Sequence, residues 1–150
     1  MKRRLISLGA ALAFAVGGSL AAAAPAQAAP VVTISKVYYN SPGSDTGTNT
    51  SLNAEYVRLT NTRSVVVNLK GYYLRDKTGY VYTFTTDYKV AAGNSIIVHT
   101  GKGTNSGTHR YWGRSWYVWN NSGDTAYLRN ASGSLVDSCT WGSSGSYTNC

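Results

Sequence analysis

The sequence predicts an all-β domain, either a sandwich or a barrel, and three observations lead there. Nothing between residues 29 and 150 sustains a helical period. Short β-branched and aromatic runs alternate instead with clusters of Gly, Ser, Asn, Asp and Thr. The clusters "DKTG", "AAGN", "NNSGD" and "NASG" each place a glycine where a turn most easily takes a positive φ.

Taken in order, the chain of 150 residues opens with a segment that is not read as part of that fold. Lys2, Arg3 and Arg4 precede an uncharged run rich in Ala, Leu and Gly, which "APAQAAP" closes. Ala26-Gln27-Ala28 fits the small-x-small rule of secretory signal peptides, so residues 1–28 are expected to be removed after Ala28 and the protein to be extracellular. An uncleaved membrane anchor is the weaker alternative, because the cleavage motif follows at once. Residues 29–150 then form one domain, with no transmembrane segment expected after cleavage. All six acids stay in it and three of the fourteen bases leave, which lowers the net charge from +8 to +5. That balance favours mild attraction to polyanions without identifying a nucleic-acid binder.

The candidate strands are "VVTISKVYY", "AEYVRLTN", "SVVVNL", "GYYLRD", "YVYTF", "NSIIVHT", "TAYLRN" and "SLVDSC". Alternation in "EYVRLT" places Val57 and Leu59 on one face and Arg58 and Thr60 on the other. In "YVYTF" it aligns Tyr80, Tyr82 and Phe84. Two polar, Gly-rich loops, "NSPGSDTGTNTSLN" and "GKGTNSGTH", are long for so small a domain, and such loops are where function most readily sits. Cys139 and Cys150, an even count in an exported chain, predict a structural disulfide closing the C-terminal loop, with two free thiols as the alternative.

The order of "NAEYVRLTN", "VVVNLKGYYLRD", "YVYTF", "VAAGNSIIVHTGKGT" and "WNNSGDTAYLRNASGSLVDS" resembles the landmarks of the lamin tail domain family, from about Ile34 to Ser138. The resemblance implies an immunoglobulin-like β-sandwich, and the form most similar to this chain is the secreted bacterial one. There is no heptad rod, so filament assembly does not carry over. The resemblance brings no catalytic residues. Asn61, Asn68, Gly71, Gly93 and Asp124 are read as turn-holding residues. Glu55, the single glutamate, is read as a fold-holding hydrogen-bond acceptor in preference to a ligand or base.

No enzymatic constellation emerges, and no cofactor is expected. His99 and His109 lack metal-ligand spacing. The acids Asp45, Glu55, Asp76, Asp87, Asp124 and Asp137 are dispersed, and neither a G-x-S-x-G elbow nor a phosphate loop is present. The loop starting at Asp45 fails the EF-hand template, leaving an irregular calcium site of Asp45, Asn49 and Glu55 as a minor alternative.

The remaining signal is "HRYWGRSWYVWNNSGD", residues 109–124, which holds Trp112, Trp116 and Trp119. Simple pleating hides its rings on neither side, so part of it is expected to be loop. Trp112 and Trp119 fall near family aromatics and are assigned to the core, whereas Trp116 and Tyr111 are not. No acid lies between Asp87 and Asp124, a span that contains Lys89, Lys102, Arg110 and Arg114. Lys102, Arg110, Tyr111, Arg114 and Trp116 are therefore the candidate ligand-binding residues. The ligand would be an anionic polymer, either nucleic acid or cell-wall polymer. A sandwich edge whose long side chains cover apolar surface is the preferred, blander account of the same residues. A surface protein bound through an exposed sheet edge is the second functional reading, and a small hydrolase is the last.

Overall fold

The computed structural model describes residues 29–150, so the predicted signal peptide lies outside the described residues. The chain forms β1 (Val32–Tyr38), a short helix α1 (Asn49–Ala54), β2 (Tyr56–Asn61), β3 (Val67–Asn68), β4 (Tyr73–Arg75) and β5 (Val81–Thr83). It continues with β6 (Lys89–Val90), β7 (Ser95–His99), β8 (His109–Tyr111), β9 (Asp124–Arg129), β10 (Leu135–Trp141) and β11 (Tyr147–Asn149). A five-stranded sheet in the order β11-β1-β2-β7-β8 faces a four-stranded sheet in the order β10-β9-β4-β5, and β3 pairs with β6 as a separate ribbon. This is a sandwich, not a barrel. Among the described residues no helix is long and apolar enough to cross a membrane.

The alternation read from the sequence builds the core. Val57 and Leu59 are fully buried, together with Ile34, Val37, Ile96 and Val98 from the same sheet. They meet Leu74, Ala126, Leu128 and Cys139 from the other sheet, and the apolar area so removed from water drives the fold. The four predicted turn glycines, Gly79, Gly93, Gly123 and Gly133, all have positive φ. Asn61 donates to the carbonyls of Val65, Val90 and Ala91, while the Asn68 side-chain oxygen accepts from the amides of Lys70 and Tyr88.

Four expectations are corrected. The run "SVVVNL" is strand only at Val67–Asn68, because the Asn61 turn diverts the chain and leaves Val65 and Val66 exposed. Tyr80 lies exposed ahead of β5, so only Tyr82 and Phe84 of the predicted face pack inward. The loop before β2 contains α1, six residues long and so too short to show a period; Thr48 caps it by accepting from the Ser51 amide. β6, β8 and β11 are two- or three-residue strands within segments that read as polar or irregular.

A sandwich has two open flanks, and each is shut differently. At one flank, Cys139 of β10 and Cys150 just beyond β11 form the predicted disulfide, Cα–Cα 5.9 Å, which joins edge strands of opposite sheets. The Ile34 amide donates to Asp137 Oδ2 (2.7 Å) at the same flank. Replacing both cysteines with serine is expected to lower stability by about 3 kcal/mol, the loop-entropy value for a ring of this size. A urea titration should show a lower midpoint with little change in slope. An unmoved midpoint would mean that hydrogen bonding alone closes the flank.

Candidate functional site

The aromatic segment 109–124 closes the opposite flank. Its first residues run as β8, parallel to β7, with Ile97, Val98 and His99 opposite His109, Arg110 and Tyr111. The remainder is loop up to β9. Arg110 shares the inward side with Val98, and its guanidinium lies over the Tyr88 ring at 3.7 Å. Arg114 covers the Tyr80 ring at 4.1 Å. Trp112 packs against Tyr82 of β5 (5.8 Å) and against Trp119 (5.8 Å). These cation–π and ring contacts seal β8 to the β5 side, as an edge-covering role requires.

An inner chain of rings follows from this closure. It runs Tyr39, Trp141, Trp119, Trp112, Tyr82, Phe84 and Tyr88, with neighbouring centroids between 5.1 and 6.0 Å apart. Trp119 is buried and Trp112 half-buried, in line with their assignment to the core. Trp116 remains 60 % exposed and leans on Gly47, where a Cβ would come within 2.5 Å of its ring.

The five candidate binding residues therefore do not form one patch. Lys102 and Arg114 share a shallow cavity with Gly47 and Asn49, and Trp116 lies beside it. Arg110 turns to the flank. Tyr111 points the other way, onto the outer face of the five-stranded sheet.

That outer face carries a second row of rings. Register places Tyr147, Tyr38, Tyr56, His99 and Tyr111 side by side on five consecutive strands. Their centroids are spaced 5.7, 5.5, 6.0 and 4.9 Å along the row. Two residues along the strands, Asn149, Lys36, Arg58, Ile97 and His109 form a parallel row, and beyond it lie Thr33, Thr60 and Ser95. A β-bulge at Ser35 keeps Lys36 and Thr33 on the same side. The Lys36 ammonium sits 3.9 Å from the Tyr147 ring centre. Arg58 donates through Nε to Ser35 Oγ (3.0 Å).

The two histidines, ten residues apart in sequence, meet here. The Asn53 carbonyl can only accept, so His99 Nδ1–H donates to it (2.7 Å) and the neutral ring presents Nε2 as an acceptor. His109 Nδ1–H then donates to that nitrogen (2.9 Å). Burial holds the His99 pKa below its ordinary value.

Sequence reasoning missed Tyr38, Tyr56, Tyr147, Lys36 and Arg58. A signal was present, since "KVY" and "YVR" each set a base two residues from a tyrosine and hence on the same strand face. Tyr147 carried none, because nothing marked its segment as strand.

The acids are engaged in the fold. Asp76 accepts from Gly79 and Tyr80 amides and from the Thr78 hydroxyl, while Asp124 accepts from Lys77, Asn120 and Thr125 amides. The residues of the alternative calcium site point to separate partners: Asp45 accepts from Asn121, and Asn49 Oδ1 from the Lys102 amide. Glu55 is fully buried, and its Oε1 accepts from the Val118 amide (2.9 Å) and the Thr100 hydroxyl (2.7 Å). Those bonds pin the aromatic loop to β2 and the end of β7, the fold-holding role expected of it. Burial, against the lowering effect of these donors, raises its pKa to about 7.

The Lamin Tail Domain family profile matches residues 25–143, a span that includes both sheets except for β11. No curated protein matches the chain.

The Glu55 environment makes stability depend on pH. Between the ordinary glutamate value of 4.5 and about 7, the folded chain keeps a proton that the unfolded chain has lost. Stability therefore falls as pH rises through this window, by up to roughly 1.4 kcal/mol per pH unit, and levels off above it. Urea midpoints measured from pH 4.5 to 8 should show this decline in the native protein and a flatter curve in Glu55→Gln. Parallel curves would mean that Glu55 ionises as an exposed carboxyl does.

Proposed function

The chain belongs to the lamin tail domain family, a family of non-catalytic immunoglobulin-like modules, and on that premise we propose that it is an exported binding module for anionic polymers. The observation that carries this reading is the separation of charge by the fold. The residues that register places on the outer face of the five-stranded sheet include Lys36 and Arg58, two histidines and no acid. Four of the six acids are tied to backbone amides, Glu55, Asp76 and Asp124 away from this face and Asp137 at the flank, where it accepts from the Ile34 amide. A polyanion lying on this face meets cations without an opposing carboxylate, and such contacts act through counterion release. Lys102 and Arg114, beside exposed Trp116, add a smaller basic cluster at one end of the sandwich. Export fits the disulfide, which persists in oxidising compartments.

Two measurements test this reading. N-terminal sequencing of protein recovered from culture medium should begin at Ala29, whereas an intact Met1 in a cell-retained protein would overturn export. Binding to single-stranded DNA, duplex DNA and an anionic wall polymer should be saturable at low salt and weaken steeply towards physiological salt. Lys36→Gln with Arg58→Gln should reduce the slope of log K against log salt by about 1.4 on a single strand, at roughly 0.7 per lost phosphate contact. No binding at low salt, or a slope untouched by these changes, would remove the outer face from consideration.

A further inference from the structure

The ring row on the outer face selects among polyanions, and the geometry points to single-stranded nucleic acid, lying across the five strands with its bases on the rings. This inference rests on the anionic-polymer reading and assigns its ligand class. The row of Tyr147, Tyr38, Tyr56, His99 and Tyr111 crosses the entire sheet without a gap. Tyr38 overlaps Tyr147 and Tyr56 at interplanar angles of 21° and 26° with centroids more than 5 Å apart. Such stacks are offset, so each ring keeps part of a face uncovered. Three of the four ring-to-ring steps, 4.9 to 5.7 Å, are stacked and set rings along a line, as a drawn-out strand places its bases. Tyr56 meets His99 edge-on at 62° and Gly103 packs on the Tyr111 ring, which leaves Tyr147, Tyr38 and Tyr56 as the open platforms.

The cations stand where a backbone would run. Lys36 and Arg58 occupy the neighbouring row, their backbone positions two residues, about 6–7 Å, along the strands from those of Tyr38 and Tyr56. The Lys36 ammonium on the Tyr147 ring sits where one side chain can contact a phosphate beside a stacked base. Arg58 is held by Ser35 through Nε alone, and its terminal nitrogens have no acceptor among the described residues. His109 extends the row to the far edge.

Other polymers use only half of this arrangement. A duplex buries its base faces, a wall polymer has no bases, and a neutral glycan makes no use of the cation row. Unstacked bases with a phosphodiester backbone use both rows.

The deciding comparison is between a dye-labelled oligothymidylate and an abasic oligonucleotide of the same length and charge, each followed by fluorescence anisotropy on the protein. Thymidylate should bind at least about tenfold more tightly, because base–ring stacking contributes about fivefold or more per base and the row offers more than one ring. Tyr38→Ser with Tyr147→Ser should bring the ratio towards one and leave abasic binding unchanged. Lys36→Gln with Arg58→Gln should weaken both ligands alike. None of the four tryptophans lies on this face, so tryptophan emission and the urea midpoint report whether each variant is folded. Equal binding of both oligonucleotides, or a ratio unmoved in a folded tyrosine variant, overturns the nucleic-acid inference and leaves the anionic-polymer reading standing. Absence of binding by either overturns both.

Discussion

Closing the two flanks of the sandwich is the constraint on which the rest of this structure depends. Two facing sheets bury their apolar inner faces, but the sides where edge strands meet stay open to water unless something spans them. Here one side is closed covalently by Cys139–Cys150 and the other by rings and guanidinium groups around Tyr82 and Tyr88. Between them the inner ring chain from Tyr39 to Tyr88 fills one end of the core. The segment that looked most like a ligand surface is therefore largely a closure. Arg110 and Arg114 lie on tyrosine faces that would otherwise be wet.

Glu55 couples that closure to the strands. A carboxylate with no solvent exposure is costly, and its two donors reduce the cost without removing it, so the proton is held to about pH 7. In return, one side chain fixes the Val118 amide and the Thr100 hydroxyl, and with them both ends of the excursion that contains β8. Asp76, Asp124 and Asp137 do similar work at other turns and edges. Engaging acids inside the fold leaves the outer sheet face with cations, hydroxyls and rings. Charge separation on the surface is thus a by-product of how backbone amides are satisfied.

The outer ring row depends on register more than on composition. A shift of one residue between β1 and β2 would send Tyr38 inward and Lys36 with it. The bulge at Ser35 re-aligns the pleat, and the parallel placement of β8 brings Tyr111 beside His99. A five-ring row therefore draws one member from each strand of a sheet whose spatial order, β11-β1-β2-β7-β8, differs from chain order.

Local chemistry was legible in the sequence. Two-residue alternation identified Val57 and Leu59 as core, glycine identified four positive-φ turns, and the pair of cysteines identified the disulfide, because each signal is confined to a few neighbouring residues. Family landmarks in order gave the sandwich. Trp112 and Trp119 were separable from Trp116 on the same basis. What only the tertiary structure decided were the pairings between distant strands. These sent Arg110 and Tyr111 to opposite faces, brought His99 to His109, and set Tyr147 in line with Tyr38 and Tyr56. A side chain's face follows from its own strand, but its neighbours follow from the order in which strands hydrogen-bond, and that order is chosen by burial of the whole core.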